Sequence, residues 1–331
     1  MAVDRKKRRR NDEKHEKRGR VPAQEEKEDM TMSNEQTRKP RLIAALVALA
    51  MLLELLPLAA LQAWADSGEI PEGATEVVTS DEVVTWTGGT KNAPQWYVVS
   101  GEVEISGRIT VNGFVGLWLA EGSTLTASSG ITVSSSKSLT IDGTGTLIAD
   151  AGTYSGSAIG GAYSSDCGAI TINGGTIKVS GGNTDESKTA AIGISGMVNS
   201  PSCAVTITGG TVIATSPTST IYAQTVTIGG DADVTATSTG IMNTMGAIKA
   251  KTVTITDGTV NATGTYSGIY LTASSNTALS PEYNMNLTIS GGTVTATGGV
   301  QGYGIGSASR YGDVTITGGT VNATGGYNSE T

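Results

Sequence analysis

The chain has 331 residues, 45 of them glycine, with a single phenylalanine (Phe114) and only 5% aromatic residues. A compact α/β enzyme of this length needs more large side chains to fill a thick core, whereas a thin elongated coil needs only Val, Ile, Leu and Ala. Of 22 Lys and Arg, 14 fall within residues 1–41 and 8 beyond; of 30 Asp and Glu, 10 precede Ala65 and 20 follow, so the part after Ala65 carries 8 − 20 = −12 and argues against a nucleic-acid partner.

The first element is a basic leader, residues 1–41. Its run Arg5-Lys6-Lys7-Arg8-Arg9-Arg10 has the composition of a nucleic-acid or nuclear-import patch, but it lies upstream of an export signal, which disfavours that reading. Met30 and Met32 each offer a start that leaves a basic flank of ordinary length. Two readings of residues 1–29 are open: an over-extended gene start, or a disordered cytoplasmic tail.

Residues 42–65 come next. An apolar run from Leu42 to Leu61 follows Arg38, Lys39 and Arg41 and ends in Ala63-Trp64-Ala65, a small-x-small pattern that predicts cleavage after Ala65. Glu54 and Pro57 interrupt the run and weaken a permanent membrane helix. A cleaved signal peptide and a retained signal anchor both send the remaining chain outside. The expected membrane contact is this segment alone.

Residues 66–95 are expected to form a linker and an N-terminal cap, and residues 96–331 a solenoid. Residues 76–136 carry denser, less regular strands, among them Val98-Val99 and Ile131-Thr-Val133, and hold three of the four tryptophans, Trp86, Trp96 and Trp118. Beyond them the triplets Leu139-Thr-Ile141, Ile170-Thr-Ile172, Val205-Thr-Ile207, Val226-Thr-Ile228, Val253-Thr-Ile255, Leu287-Thr-Ile289 and Val314-Thr-Ile316 recur at intervals of 31, 35, 21, 27, 34 and 27 residues. A Gly-rich turn and a second strand follow each triplet, such as Thr211-Val-Ile-Ala-Thr215.

Alternation of side chains along a strand sorts these residues into columns. Leu147, Ile177, Val212, Val234, Val260, Val294 and Val321 form one inward column, and Ala149, Val179, Ala214, Ala236, Ala262, Ala296 and Ala323 the next. Thr140, Thr171, Thr206, Thr227, Thr254, Thr288 and Thr315 point outward, where ordinary β-propensity is the plain explanation and a flat ice- or glycan-binding face the sharper one. Lys178, Ile213 and Asn261 interrupt the neighbouring rows and argue against an ice-matching lattice. A third apolar patch follows in most copies, as Ala158-Ile-Gly160, Ala191-Ile-Gly193, Gly268-Ile-Tyr270 and Gly304-Ile-Gly306. The period of two excludes helix. Three short strands per coil predict an all-β fold, a right-handed parallel β-helix, with insertions projecting as edge loops. Because no cap follows the last repeat, we expect the helix to continue in a longer protein.

The stretch Trp96-Tyr-Val-Val-Ser-Gly101, Ile109-Thr-Val-Asn-Gly113, Leu119-Ala-Glu-Gly-Ser-Thr-Leu125 and Leu139-Thr-Ile-Asp-Gly143, with the Val-Thr-Ile-x-Gly-Gly-Thr-Val-x-Ala-Thr-Gly repeats, resembles large repeat-rich surface proteins of gut-type bacteria. Such proteins are often labelled carbohydrate-binding-domain-containing, and their fold resembles the pectin-lyase-like β-helix. The resemblance covers residues 95–331. It implies architecture and a surface location, and leaves activity open, because that fold hosts enzymes, adhesins and inert stalks.

Chemistry is sparse. The single histidine, His15, lies in the leader, so the mature chain has no His base or His metal ligand. Asp142 aligns with Asn173, Thr208, Gly229, Thr256, Ser290 and Thr317, without an acidic neighbour, and only Arg108 and Arg310 supply guanidinium groups after the leader. We therefore expect no catalysis, no cofactor and no metal. Gly229-Gly-Asp-Ala-Asp233 has a faint calcium-repeat look, but occurs once and fits a turn. Cys167 and Cys203 occupy nearly the same place in consecutive coils, which suits either a coil-to-coil disulfide or two buried thiols.

Aromatic side chains are the remaining candidates for binding. Tyr154, Tyr163, Tyr266, Tyr270, Tyr303 and Tyr311 lie where insertions concentrate and suit stacking on sugar rings. Trp96 and Tyr97 are candidates too, although cap packing is the favoured explanation for tryptophans there. The expectation is an exported, non-catalytic adhesin or glycan-binding stalk whose partners are glycans or components of host or neighbouring cell surfaces. The alternatives are a polysaccharide lyase or hydrolase of the pectin-lyase-like fold, and a purely structural spacer.

Overall fold

The computed structural model describes residues 69–182, 189–196, 198, 201–240, 245–272, 285–307 and 312–326. The leader 1–41, the segment 42–65 with its cleavage site after Ala65, Arg310 and Tyr311 lie outside the described residues. The described chain is all-β: the paired strands are parallel and stack into the three faces of a parallel β-helix.

The first face runs from Thr75–Glu76 through Gln95–Val99, Phe114–Leu119, Ser138–Gly143, Ala169–Ile172 and Ala204–Ile207 to Met285–Ile289 and Gly312–Ile316. The second is a nine-stranded sheet from Glu102–Ile105 to Thr320–Thr324. The third runs from Val84–Trp86 through Ile109–Val111, Ile131–Val133, Ile159–Tyr163 and Ile192–Ser195 to Ser267–Leu271 and Ile305–Gly306. Two long strands, Ile221–Ile228 and Gly246–Ile255, pass through the corner and serve the third face with one half and the first face with the other. That corner has no turn residue in these coils, so the first and third faces join into one 17-stranded sheet.

Register follows the aliphatic pattern. On the second face Leu147, Ile177, Val212, Val234, Val260, Val294 and Val321 pair in unbroken succession, and the alanine column beside them does the same. A slip by one residue would turn every one of these side chains outward, so the burial itself holds the register. The outward threonines from Thr140 to Thr315 are likewise directly paired.

The third face adds an isoleucine column: Ile109, Ile131, Ile159, Ile192, Ile221, Ile248 and Ile269 are fully buried, with Ile305 partly buried after them. Each such side chain contributes roughly 1.5–3 kcal/mol against the cost of ordering its coil, and neighbouring coils bury one another, so stability accrues by stacking. Val314 and Ile316 continue the inward columns but are exposed, because among the described residues no coil covers them.

The turn between the first and second faces needs a left-handed residue. Gly210, at φ 72°, supplies it, and a Cβ there would collide with the Gly175 carbonyl of the coil before.

Parallel pairing begins at Thr75, inside the segment expected to be linker and cap. Thr75–Glu76, the Ser80–Ile105 bridge and Val84–Trp86 already form a coil of three sides. Trp86, 2% exposed, fills its interior and stacks on Tyr97 at 5.2 Å and 22°. Among the described residues this first coil has a neighbouring coil on one side only, and large rings meet the packing demand of such an end.

Candidate functional site

The outward positions of the third face, one residue past each inward isoleucine, read Thr110, Thr132, Gly160, Gly193, Tyr222, Lys249, Tyr270 and Gly306. Three consecutive coils thus present Tyr222, Lys249 and Tyr270 in one column. The Lys249 ammonium lies 4.8 Å from the centroid of the Tyr222 ring and 5.9 Å from that of Tyr270, within the range of cation–π attraction.

Two more tyrosines close the cluster. Tyr266 meets Tyr270 edge-on at 6.4 Å and Tyr303 at 5.9 Å. Tyr303 lies over Gly306, where a Cβ would strike the ring, so the small residue admits the aromatic. Tyr303 is 39% exposed, while Tyr270 is 5% exposed and backs the cluster. Tyr222, Lys249 and Tyr266 are partly exposed. Burial raises the Tyr222 hydroxyl above its ordinary pKa. Tyr266 is raised as well, by burial first and then by its hydrogen bond to Tyr303 and the nearby Tyr303 and Tyr270 oxygens, so both hydroxyls stay protonated at neutral pH. The patch is aromatic, cationic and rich in hydroxyl donors.

The other candidate residues go elsewhere. Tyr154 lies under the Arg108 guanidinium, 3.8 Å from its carbon to the ring centroid. Arg108 donates from Nε to Thr132 Oγ1 and from Nη2 to the Ser157 carbonyl, both 2.7 Å, and from Nη1 to the Ser129 carbonyl. Burial pulls its pKa down to about 10. Tyr163 is exposed and borders Gly196. Trp96 is outward and partly exposed, covering Gly116 and meeting Trp118 edge-on at 6.2 Å. Tyr97 points inward in register with Leu117, and its hydroxyl bonds the backbone of Thr87.

Cys167 and Cys203 form a disulfide with Cα atoms 4.9 Å apart and both residues buried. Asp166 reinforces that junction by accepting from the backbone N–H of Cys167, Cys203 and Ser202 and from Ser202 Oγ. Asp142 is in register with Trp118, 5% exposed, and its carboxyl is raised by burial against the opposing hydrogen bonds from Gly143 N–H and Asn173. Among the described residues no group of three or more His, Cys, Asp and Glu is arranged to hold a metal ion.

Tyr222 and Lys249 escape a reading based on turn-bounded strands. Their signal is the isoleucine immediately before the tyrosine and before the lysine, Ile221 and Ile248, which continues the third-face column. The family model described as a beta helix repeat matches residues 170–193, 253–274, 287–309 and 314–329. The first of these spans runs from a first-face strand to a third-face strand, so one repeat corresponds to one coil. No curated protein and no solved structure matches the chain.

Proposed function

We propose that this β-helix repeat protein is an exported cell-surface adhesin or stalk that binds glycans, without catalysis, through the tyrosine cluster on its third face. The observation that carries the reading is one tyrosine cluster on an aromatic-poor chain: Tyr222 and Tyr270 flank Lys249, and Tyr266 packs edge-on against both Tyr270 and Tyr303. Partly exposed rings edged by hydroxyl groups match a sugar, which offers an apolar face and a polar rim. The export segment 42–65 supports delivery to the outside, and the buried disulfide suits an oxidising compartment. The non-catalytic reading draws support from Asp142, whose stacked neighbours are Trp118 on one side and Asn173 on the other, not a second acid.

The test is a glycan array probed with the purified chain. Saturable binding that falls about tenfold in Tyr303→Ala, with the β-sheet circular dichroism unchanged, supports the reading. A folded chain that binds nothing overturns it in favour of a spacer, and binding that ignores Tyr303→Ala and Tyr222→Ala alike overturns the tyrosine cluster as the site.

A further inference from the structure

Charge on the helix is sorted by face. The first-face strands carry Glu76, Asp142 and Asp313, and the second-face strands Glu102, Glu104, Asp150 and Asp233. The third-face strands carry no Asp or Glu, in Val84–Trp86, Ile109–Val111, Ile131–Val133, Ile159–Tyr163, Ile192–Ser195, Ser267–Leu271 and Ile305–Gly306 or in the two long corner strands. The nearby Asp166 carboxylate is turned to the disulfide junction, where it accepts four hydrogen bonds.

The same face carries two of the few cations in this part of the chain, while Lys178 stands on the second face. Lys249 stands in the outward column, and the Arg108 guanidinium reaches the outward Thr132 of that column. Both lie against tyrosine rings. From Thr132 through Gly160, Gly193 and Tyr222 to Lys249 there are four inter-strand steps of about 4.8 Å, so the two positive centres are roughly 19 Å apart along the axis.

We infer that the third face selects an anionic glycan, one bearing uronate carboxylates or sulfate groups, extended along the helix axis. The inference rests on the glycan-binding reading above and names its ligand class. Sugar rings meet Tyr222, Tyr266 and Tyr303, and an anionic substituent meets Lys249. Arg108 supplies a second positive field further along the same face. Carboxylates on the strands of the other two faces repel a polyanion, so the face whose described strands carry none sets where such a chain lies.

The experiment uses the full chain with four polymers: a polyuronate, the same polyuronate methyl-esterified, dextran sulfate and dextran. The polyuronate or the sulfated polymer binds about tenfold more tightly than its uncharged counterpart at low salt, and the gap closes as salt rises. Whichever charged polymer binds more tightly identifies the anionic group. Lys249→Gln removes the preference and Lys249→Arg keeps it, while Tyr303→Ala weakens charged and uncharged polymers together. Equal binding of charged and uncharged forms, or a preference that survives Lys249→Gln, overturns the anionic selection and leaves glycan binding standing. Silence on all four polymers with retained signal on neutral array glycans also overturns this inference alone. Silence on polymers and array alike, from folded chain, overturns both.

Discussion

Arg108 and Tyr154, 46 residues apart in sequence, are stacked with the guanidinium carbon 3.8 Å from the ring centroid. The guanidinium ties three coils, because its acceptors are Ser129, Thr132 and Ser157. Removing it strands two carbonyls beside a cavity. Arg108→Ala is therefore expected to lower the stability of the N-terminal coils by about 2–4 kcal/mol. Arg108→Lys recovers only part of this, since an ammonium lacks the planar fork. Urea unfolding followed by tryptophan fluorescence reads those coils, where Trp86, Trp96 and Trp118 lie. An unchanged midpoint in Arg108→Ala would show that the tie contributes nothing.

Asp142 gives a pH-dependent prediction. Burial holds its folded pKa above the ordinary value, so the folded state binds the proton more tightly than the unfolded state. Stability from this group is present at low pH and is lost as pH rises through the folded pKa. Asp142→Asn removes the charge and keeps an acceptor for the Gly143 N–H. The variant should exceed the parent in stability at pH 7, with the difference shrinking as the buffer is taken down to about pH 3. A variant less stable than the parent at pH 7 refutes the account.

The disulfide should resist reduction until the helix opens. Cys167 and Cys203 are 1% and 0% exposed, so a thiolate reductant has no path to either sulfur in the folded chain. Alkylation without reductant should leave the mass unchanged, and reduction should require denaturant. The Cys167→Ala/Cys203→Ala double variant leaves open the loop between two positions separated by 36 in sequence and should lose about 2–4 kcal/mol. Two alkyl groups added to unreduced, denatured chain would contradict the bond.

Much of the helix is legible in one dimension because burial acts on every second residue. The pattern Val-Thr-Ile assigns Val205 and Ile207 inward and Thr206 outward, and parallel stacking then sets each against its counterpart in the next triplet. The third face is harder to see. In Ile221–Ile228 and Gly246–Ile255 no glycine or proline separates it from the first face, so Tyr222 and Lys249 read as part of a longer strand.

The sequence by itself determined the coil, its inward and outward columns and the turns that need glycine, since each depends on local alternation and backbone sterics. Only the tertiary structure decided which side chains become neighbours along the axis. Tyr266 meets Tyr303 and Arg108 meets Tyr154 because whole coils, with insertions of unequal length, lie between them in sequence and are spanned in one or two inter-strand steps in space. Contour length along the chain does not report that step; closure of each coil around its buried core does.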